Sequence, residues 1–209
     1  MVERRAHSRA LIDDKKRGGH GFKSHPRHFL KSLKIKDIWK FVFRKYIFLY
    51  TNFIVKPSYI SSISALSFYG DISQLPNEIF VLQTNLQKLF TFIQTIRFFH
   101  TKFFFGFKEV EYKGFKILIA DREKAIIDSI GKVPIYIFEE SLEKINLEKM
   151  LDYVKRIGKR SLAKRIGYLL EKFGYNVYFD LKGFIDKKFV FLDPIVKGKK
   201  KNKKWMVIV

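Results

Sequence analysis

Apolar and aromatic positions recur densely between residues 33 and 55, and their spacing predicts a helix that ends near Phe43. A short extended piece, Tyr46–Tyr50, is expected to follow. Ser58 is a favourable helix cap, so a second helix is predicted after it and is expected to end at Gly70. The apolar face of this second helix would be formed by Tyr59, Ile60, Ile63, Leu66 and Tyr69.

Aromatic and β-branched residues then alternate with polar ones over four segments, which is typical of strands. The predicted strands are Ile79–Gln83, Phe90–Phe98, Lys102–Phe107 and Phe115–Ile119. The segment 90–107 holds many Phe side chains, too many to leave exposed in one patch, so we expect it to lie in the core.

The pattern returns to helical spacing after Asp121, which is a good cap for a helix with an apolar stripe. Further helices are predicted over Leu147–Ile157 and Ser161–Phe173, and late strands over Tyr175–Leu181 and Phe189–Leu192. This order predicts an α+β fold. It consists of a helix followed by an antiparallel β-meander, then helices and closing strands, with a basic flexible amino-terminal arm.

The first 28 residues differ in composition from the rest of the chain. They contain five of the 11 Arg and four of the five His but only one aromatic residue, so little apolar surface can be buried there. We therefore predict three segments: a basic disordered arm over 1–28, a remnant or replacement of a DNA-binding region with a linker over 29–57, and an α+β domain over 58–209.

The excess of positive charge indicates a polyanionic partner. The chain has 42 Lys and Arg against 20 Asp and Glu, a net charge of +22, and most of the excess lies near the two ends. Nucleic acid, in particular DNA, is the expected partner. The candidate contact residues are Arg4, Arg5 and Arg9 near the amino terminus and Lys197, Lys199, Lys200, Lys201, Lys203 and Lys204 near the carboxy terminus.

Several classes of protein are excluded or disfavoured by composition. The absence of Cys excludes disulfides, thiolate zinc sites and iron–sulfur clusters and fits a cytoplasmic protein. The longest apolar stretch, residues 38–55, carries Lys40, Arg44 and Lys45, so we expect no membrane span.

Catalytic motifs are scarce. His100 is the only His beyond the arm, and neither a Gly-x-Ser-x-Gly motif nor a phosphate-binding loop occurs. We therefore expect no enzymatic activity, no cofactor and no metal. The alternative is a metal-dependent nuclease centred on Asp121, Glu123 and Lys124, but helix capping by Asp121 and the pairing of Lys124 with Asp128 explain these residues as well.

Five segments together resemble the antitoxin and transcriptional-regulator family of the AbiEi type. They are residues 57–70, 75–81, 100–107, 119–128 and 192–205, and Arg122 stands where the family usually has Pro. The residues that carry the resemblance, each of which also has a packing explanation, are Tyr59, Ser64, Ala65, Leu66, Gly70, Pro76, Asn77, Gly106, Asp121, Glu123, Lys124, Asp128, Asp193, Pro194 and Trp205.

The resemblance implies a two-part protein of a type IV toxin–antitoxin, or phage-defence, system. An amino-terminal winged helix would bind operator DNA and repress its own operon. The carboxy-terminal domain would oppose a nucleotidyltransferase-like toxin without forming a stable complex with it. Because only about 45 residues precede Tyr46, the winged helix is expected to be truncated or replaced. A nonspecific nucleic-acid-binding module is the remaining alternative.

Overall fold

The computed structural model describes residues 47–72, 77–84, 88–91 and 95–209. The predicted arm, residues 1–28, and the predicted helix before Phe43 lie outside the described residues. Within the described part the protein has an α+β fold, as the sequence predicts, with helices on a mixed sheet and a second, smaller sheet.

Six strands form the main sheet in the order β3-β4-β2-β1-β6-β5. Their bounds are Ser58–Ile60 (β1), Glu78–Gln83 (β2), Lys88–Thr91 (β3), Thr95–His100 (β4), Phe107–Tyr112 (β5) and Phe115–Ala120 (β6). The pairs β1–β2, β3–β4 and β5–β6 are antiparallel. The pairs β1–β6 and β2–β4 are parallel. The sheet is therefore mixed, whereas the sequence predicts antiparallel pairs.

Helices cover the main sheet on both of its faces. Their bounds are Ile47–Ile54 (α1), Ser62–Phe68 (α2), Arg122–Ser129 (α3), Leu147–Ile157 (α4), Arg160–Lys172 (α5) and Tyr178–Leu181 (α6). Helix α1 lies on the face where a small buried cluster contains Ile79 and Val81 of β2. The alternate residues Phe80 and Leu82 belong to the large core that the other helices cover. The two-residue alternation along β2 therefore separates two cores.

Strand β1 lies where the sequence predicts the start of a helix, so that boundary was wrong. Its three residues are all buried and pair with β2, and Ile60 also pairs with Ile119 of β6 on the other side. The helix begins only at Ser62, after Ser61 has taken an extended conformation. Pairing on both edges, which a local pattern does not reveal, overrides the helical spacing of this segment.

Three further boundary predictions are corrected. Residues 47–50 are helical rather than extended, and Ile47 and Thr51 are buried one turn apart on α1. The predicted strand Phe90–Phe98 is divided between the antiparallel strands β3 and β4. The predicted strand Lys102–Phe107 is irregular up to Gly106, and the strand that follows it, β5, was not predicted.

The predicted strand Tyr175–Leu181 was wrong as well, because α6 occupies its second half. Val177 and Leu181 are buried one helical turn apart, whereas Phe179 between them is 74% exposed. The chain closes with a three-stranded sheet of β7 (Val190–Phe191), β8 (Lys201–Asn202) and β9 (Val207–Ile208). None of the helices in the described ranges is both long and apolar enough to cross a membrane.

Candidate functional site

The lysine-rich segment near the carboxy terminus folds into a hairpin formed by β8 and β9, which we call the lysine hairpin (residues 197–209). Trp205 in its turn is fully buried and lies against Gly167 of α5, where any side chain would overlap the indole ring. Gly198 is equally close to the backbone of Val209, so both glycines permit close packing. Strand β9 thus lies against α5 and holds the lysine segment as one side of a hairpin.

Polar contacts hold the turn of the lysine hairpin in place. The backbone N–H of Trp205 donates to the Asn202 side chain at 2.9 Å, and its indole N–H donates to Glu171 at 2.5 Å. Lys204 forms an ion pair with the same Glu171 carboxylate. Burial raises the pKa of Glu171, but the hydrogen bonds from Lys204 and Trp205 outweigh burial and the pKa is lowered.

The six lysine side chains of the hairpin are exposed. They are Lys197, Lys199, Lys200, Lys201, Lys203 and Lys204. Three of them lie near aromatic rings: the ammonium of Lys197 is 5.8 Å from the ring centre of Phe191, that of Lys201 is 5.3 Å from Phe189, and that of Lys204, which also pairs with Glu171, is 5.2 Å from Tyr178. The hairpin backbone therefore places six lysine side chains at the surface, of which Lys204 is paired with Glu171.

A second polar site lies in the core, between β1 and α3. The ammonium group of Lys124 donates to Asp128 Oδ1 at 2.5 Å and to the Tyr59 hydroxyl at 2.9 Å. Asp128 Oδ2 accepts from Tyr59 at 3.1 Å and from Ser61 at 2.8 Å. Burial, followed by the charge and hydrogen bond of Asp128, raises the pKa of Tyr59, so its hydroxyl stays protonated.

The residues of the nuclease hypothesis make separate sets of contacts. Asp121 caps α3 at the Lys124 backbone N–H and accepts from the Tyr153 hydroxyl at 2.7 Å. Glu123 accepts from the Asn146 backbone N–H at 2.7 Å. The Lys149 ammonium lies 2.8 Å from Asp121 and 3.8 Å from Glu123, so a protein cation occupies the position between these carboxylates. Across the described ranges, no group of three acidic or His side chains is arranged to hold a metal ion.

The other residues that carry the resemblance lie at turns and packing contacts. Ser64 accepts from the Phe80 backbone N–H at 2.9 Å, and Asp193 accepts from that of Ile135 at 2.8 Å. Gly106 has φ +73° and lies so close to Lys124 and Tyr153 that a side chain would crowd both. Ala65 and Leu66 are fully buried, Gly70 ends its helix with φ +70°, and Asn77 and Pro194 are exposed.

Pro76, Arg4, Arg5 and Arg9 lie outside the described residues. The roles predicted for those four positions, including the contribution of the arm to nucleic-acid binding, stay predictions.

The Phe-rich segment is described in part: Phe98 is 2% exposed, and Phe103, Phe104 and Phe105 are half-buried against the large core.

Sequence reasoning missed a cavity of about 380 Å³ that opens beside the buried Lys124–Asp128 pair. Its polar lining consists of His100, Thr101, Lys102, Lys124, Asp128, Lys132, Lys159, Ser161 and Arg165. These residues come from the end of β4 and the loop after it, from α3 and the turn after it, and from the α4–α5 junction and α5, so no local motif reveals them. Lys132 and Lys159 each follow a glycine at a helix end, but that pattern is common to many helices.

No protein-family model matches the chain, and no curated protein matches it significantly in sequence.

Proposed function

We propose that this protein is a non-enzymatic, antitoxin-like regulator of a type IV toxin–antitoxin system that contacts DNA through the lysine hairpin. The observation that carries the proposal is the exposed cluster of six lysines on a hairpin that buried Trp205 anchors to α5. Ammonium groups near phosphates release condensed counterions, which is the main source of sequence-independent affinity for DNA.

The type of contact follows from the shape of the hairpin. It is a short, two-residue ladder with lysines on its surface, and neither a helix nor a long β-ribbon projects from it toward a groove. Lysines of this kind bind phosphates and set the register of a protein on DNA without reading base edges. We therefore expect nonspecific affinity from the described part, with any operator recognition assigned to the residues before α1.

The antitoxin role rests on the resemblance of the five segments. Tyr59, Lys124 and Asp128, which come from two of those segments, are joined by hydrogen bonds in one buried network, so these two segments belong to one folded unit.

Co-expression tests the antitoxin role. The chain is expressed in bacteria together with a nucleotidyltransferase-like protein encoded by an adjacent gene, and growth is compared with that of cells expressing the neighbour alone. Restored growth is the expected result. Continued growth arrest in the presence of soluble, folded protein would remove the antitoxin role while leaving DNA binding to be measured separately.

A further inference from the structure

The cavity beside Lys124 carries a strong excess of positive charge. Five cationic side chains line it against one carboxylate, Asp128, and that carboxylate already pairs with Lys124. Within the described ranges, none of the other four forms an ion pair with a carboxylate. Those four are Lys102, Lys132, Lys159 and Arg165. Such a cluster in a concave site concentrates anions.

Two of these charges lie in surroundings that disfavour the charged form. Burial lowers the pKa of Lys132, and the positive charges of Lys124 and Lys159 lower it further against the opposing effect of Asp128. Burial also lowers the pKa of Arg165. An anion in the cavity would stabilise the charged forms of both residues. This stabilisation would contribute to the binding of the anion.

The start of α5 adds to this preference. Its N-cap residue, Lys159, makes no capping hydrogen bond, and the first turn contains no acidic residue. The Asp186 carboxylate pairs with Arg160 and Lys164 of this helix start. Lys159, which lines the cavity, has no such carboxylate partner among the described residues, so an anion in the cavity would interact favourably with both its charge and the positive end of the helix dipole. Ser161 in the same turn lines the cavity and can donate its hydroxyl.

The remaining lining is apolar. It consists of Leu82, Phe103, Ile127, Ile130, Ile157 and Leu162. A volume of about 380 Å³ is within the range of pockets for small organic ligands. The half-buried ring of Phe103, which lies 5.3 Å from the Lys159 ammonium, offers a surface on which a nucleobase can stack.

We propose that this cavity binds a phosphate monoester of nucleotide size, with the phosphate held by Lys102, Lys132, Lys159 and Arg165 and the base against the apolar wall. The same chemistry occurs in a free mononucleotide and at the phosphorylated end of a nucleic-acid strand. The site is separate from the lysine hairpin, so the inference does not rest on the proposed function.

Isothermal titration calorimetry of the full chain with adenosine monophosphate tests the inference. We expect saturable binding at one site, with adenosine binding at least about tenfold more weakly because it lacks the charged group. The double variant Lys102→Gln/Lys159→Gln, at two exposed positions of the cavity, should bind adenosine monophosphate at least about tenfold more weakly than the parent. Absence of saturable binding by the parent would overturn the inference.

The matched control is Lys108→Gln/Lys155→Gln, which removes the same charge at two exposed positions outside the cavity lining. It should bind as the parent does, and an equal loss in both double variants would overturn the assignment to the cavity.

Competition with a tetrathymidylate carrying a 5′-phosphate distinguishes the two sources of the phosphate monoester. Displacement of adenosine monophosphate shows that strand ends enter the site, and failure to displace it identifies free nucleotides as the ligand.

Variants of the lysine hairpin separate this inference from the proposed function. A variant with Lys199, Lys200 and Lys203 changed to Gln should keep the parent's affinity for adenosine monophosphate, because those residues do not line the cavity. Weaker DNA binding with unchanged nucleotide binding is the result that both proposals predict, whereas unchanged binding of both DNA and the nucleotide would remove the proposed DNA contact alone. Loss of nucleotide binding in this variant would place the phosphate on the hairpin and overturn the inference.

Discussion

At the scale of single residues, the defining feature is a charge pair in the core. Lys124 is fully buried and Asp128 is 7% exposed, one turn apart on α3. Removal of two charges from water is unfavourable, and it is offset here by the mutual pairing and by the hydroxyls of Tyr59 and Ser61. Stabilisation of the fold therefore explains the presence of these residues in the core.

Replacement of Asp128 by Ala should therefore destabilise the protein strongly. The buried Lys124 ammonium would lose its counter-charge, which typically costs about 3–5 kcal/mol of unfolding free energy. The control is Glu109→Ala, which breaks the exposed pair with Lys116 and should cost about 1 kcal/mol or less. Urea unfolding measures both, and equal losses in the two variants would contradict the account.

Several interacting elements, rather than one motif, determine how the lysine hairpin is held. Trp205 crosses from the turn to α5, where Gly167 leaves room for the ring, and Glu171 one turn later accepts the indole N–H. The tryptophan and the glycine are 38 positions apart, so no local pattern shows which surface the hairpin lies on.

A Gly167→Ala variant tests this contact. The added methyl group would overlap the Trp205 ring, and overpacking of this kind costs about 1–3 kcal/mol. Gly183→Ala is the matched control, because a side chain there would have no neighbour within 4 Å, and its stability should change by about 0.5 kcal/mol or less. Chemical unfolding followed by tryptophan fluorescence distinguishes the two, and a neutral Gly167→Ala would contradict the anchoring role.

The Glu171 carboxylate makes the anchor dependent on pH. Because its folded-state pKa is lowered from the ordinary 4.5, its contribution to stability is present above about pH 4.5 and is lost as the pH falls through the folded-state value. The parent should therefore be more stable than Glu171→Gln at neutral pH, and the difference should shrink below pH 4.5. A difference in unfolding free energy that stays constant from pH 7 to pH 3 would contradict this.

The elements also show which features of the fold the sequence could predict. Helices α4 and α5 were predicted to within one residue at each end, because a glycine follows each of them, and α3 begins directly after its predicted cap, Asp121. The alternation in 175–181 was misleading, since a short helix with one exposed Phe shows the same pattern over so few residues. Strand β1 could not be predicted, because its conformation depends on two partners distant in sequence.

For the whole molecule, the two candidate sites differ in whether the sequence alone could reveal them. Six lysines of the hairpin lie within eight positions, so a count of charges along the chain was enough to find them. The cationic cavity draws its charged side chains from residues 102–165, and these come together only through the packing of elements distant in sequence. Single charges at helix and strand ends carry no signal until the fold is known.

The central claim is that the lysine hairpin provides the affinity for DNA, and the salt dependence of binding tests it. Duplex DNA is titrated at several salt concentrations, and the logarithm of the binding constant is plotted against that of the salt concentration. If all six lysines neutralise phosphates, the parent's slope reaches about −5. The pairing of Lys204 with Glu171 makes a smaller magnitude the expected value.

The decisive comparison is between two triple variants that remove the same charge. Lys199, Lys200 and Lys203 are changed to Gln in the first, and the exposed β5–β6 residues Lys108, Lys113 and Lys116 are changed to Gln in the second. The account predicts that the first variant reduces the magnitude of the slope by about 2–3 and that the second leaves it within about 1 of the parent. An unchanged slope in the hairpin variant, or equal changes in both, would contradict the claim.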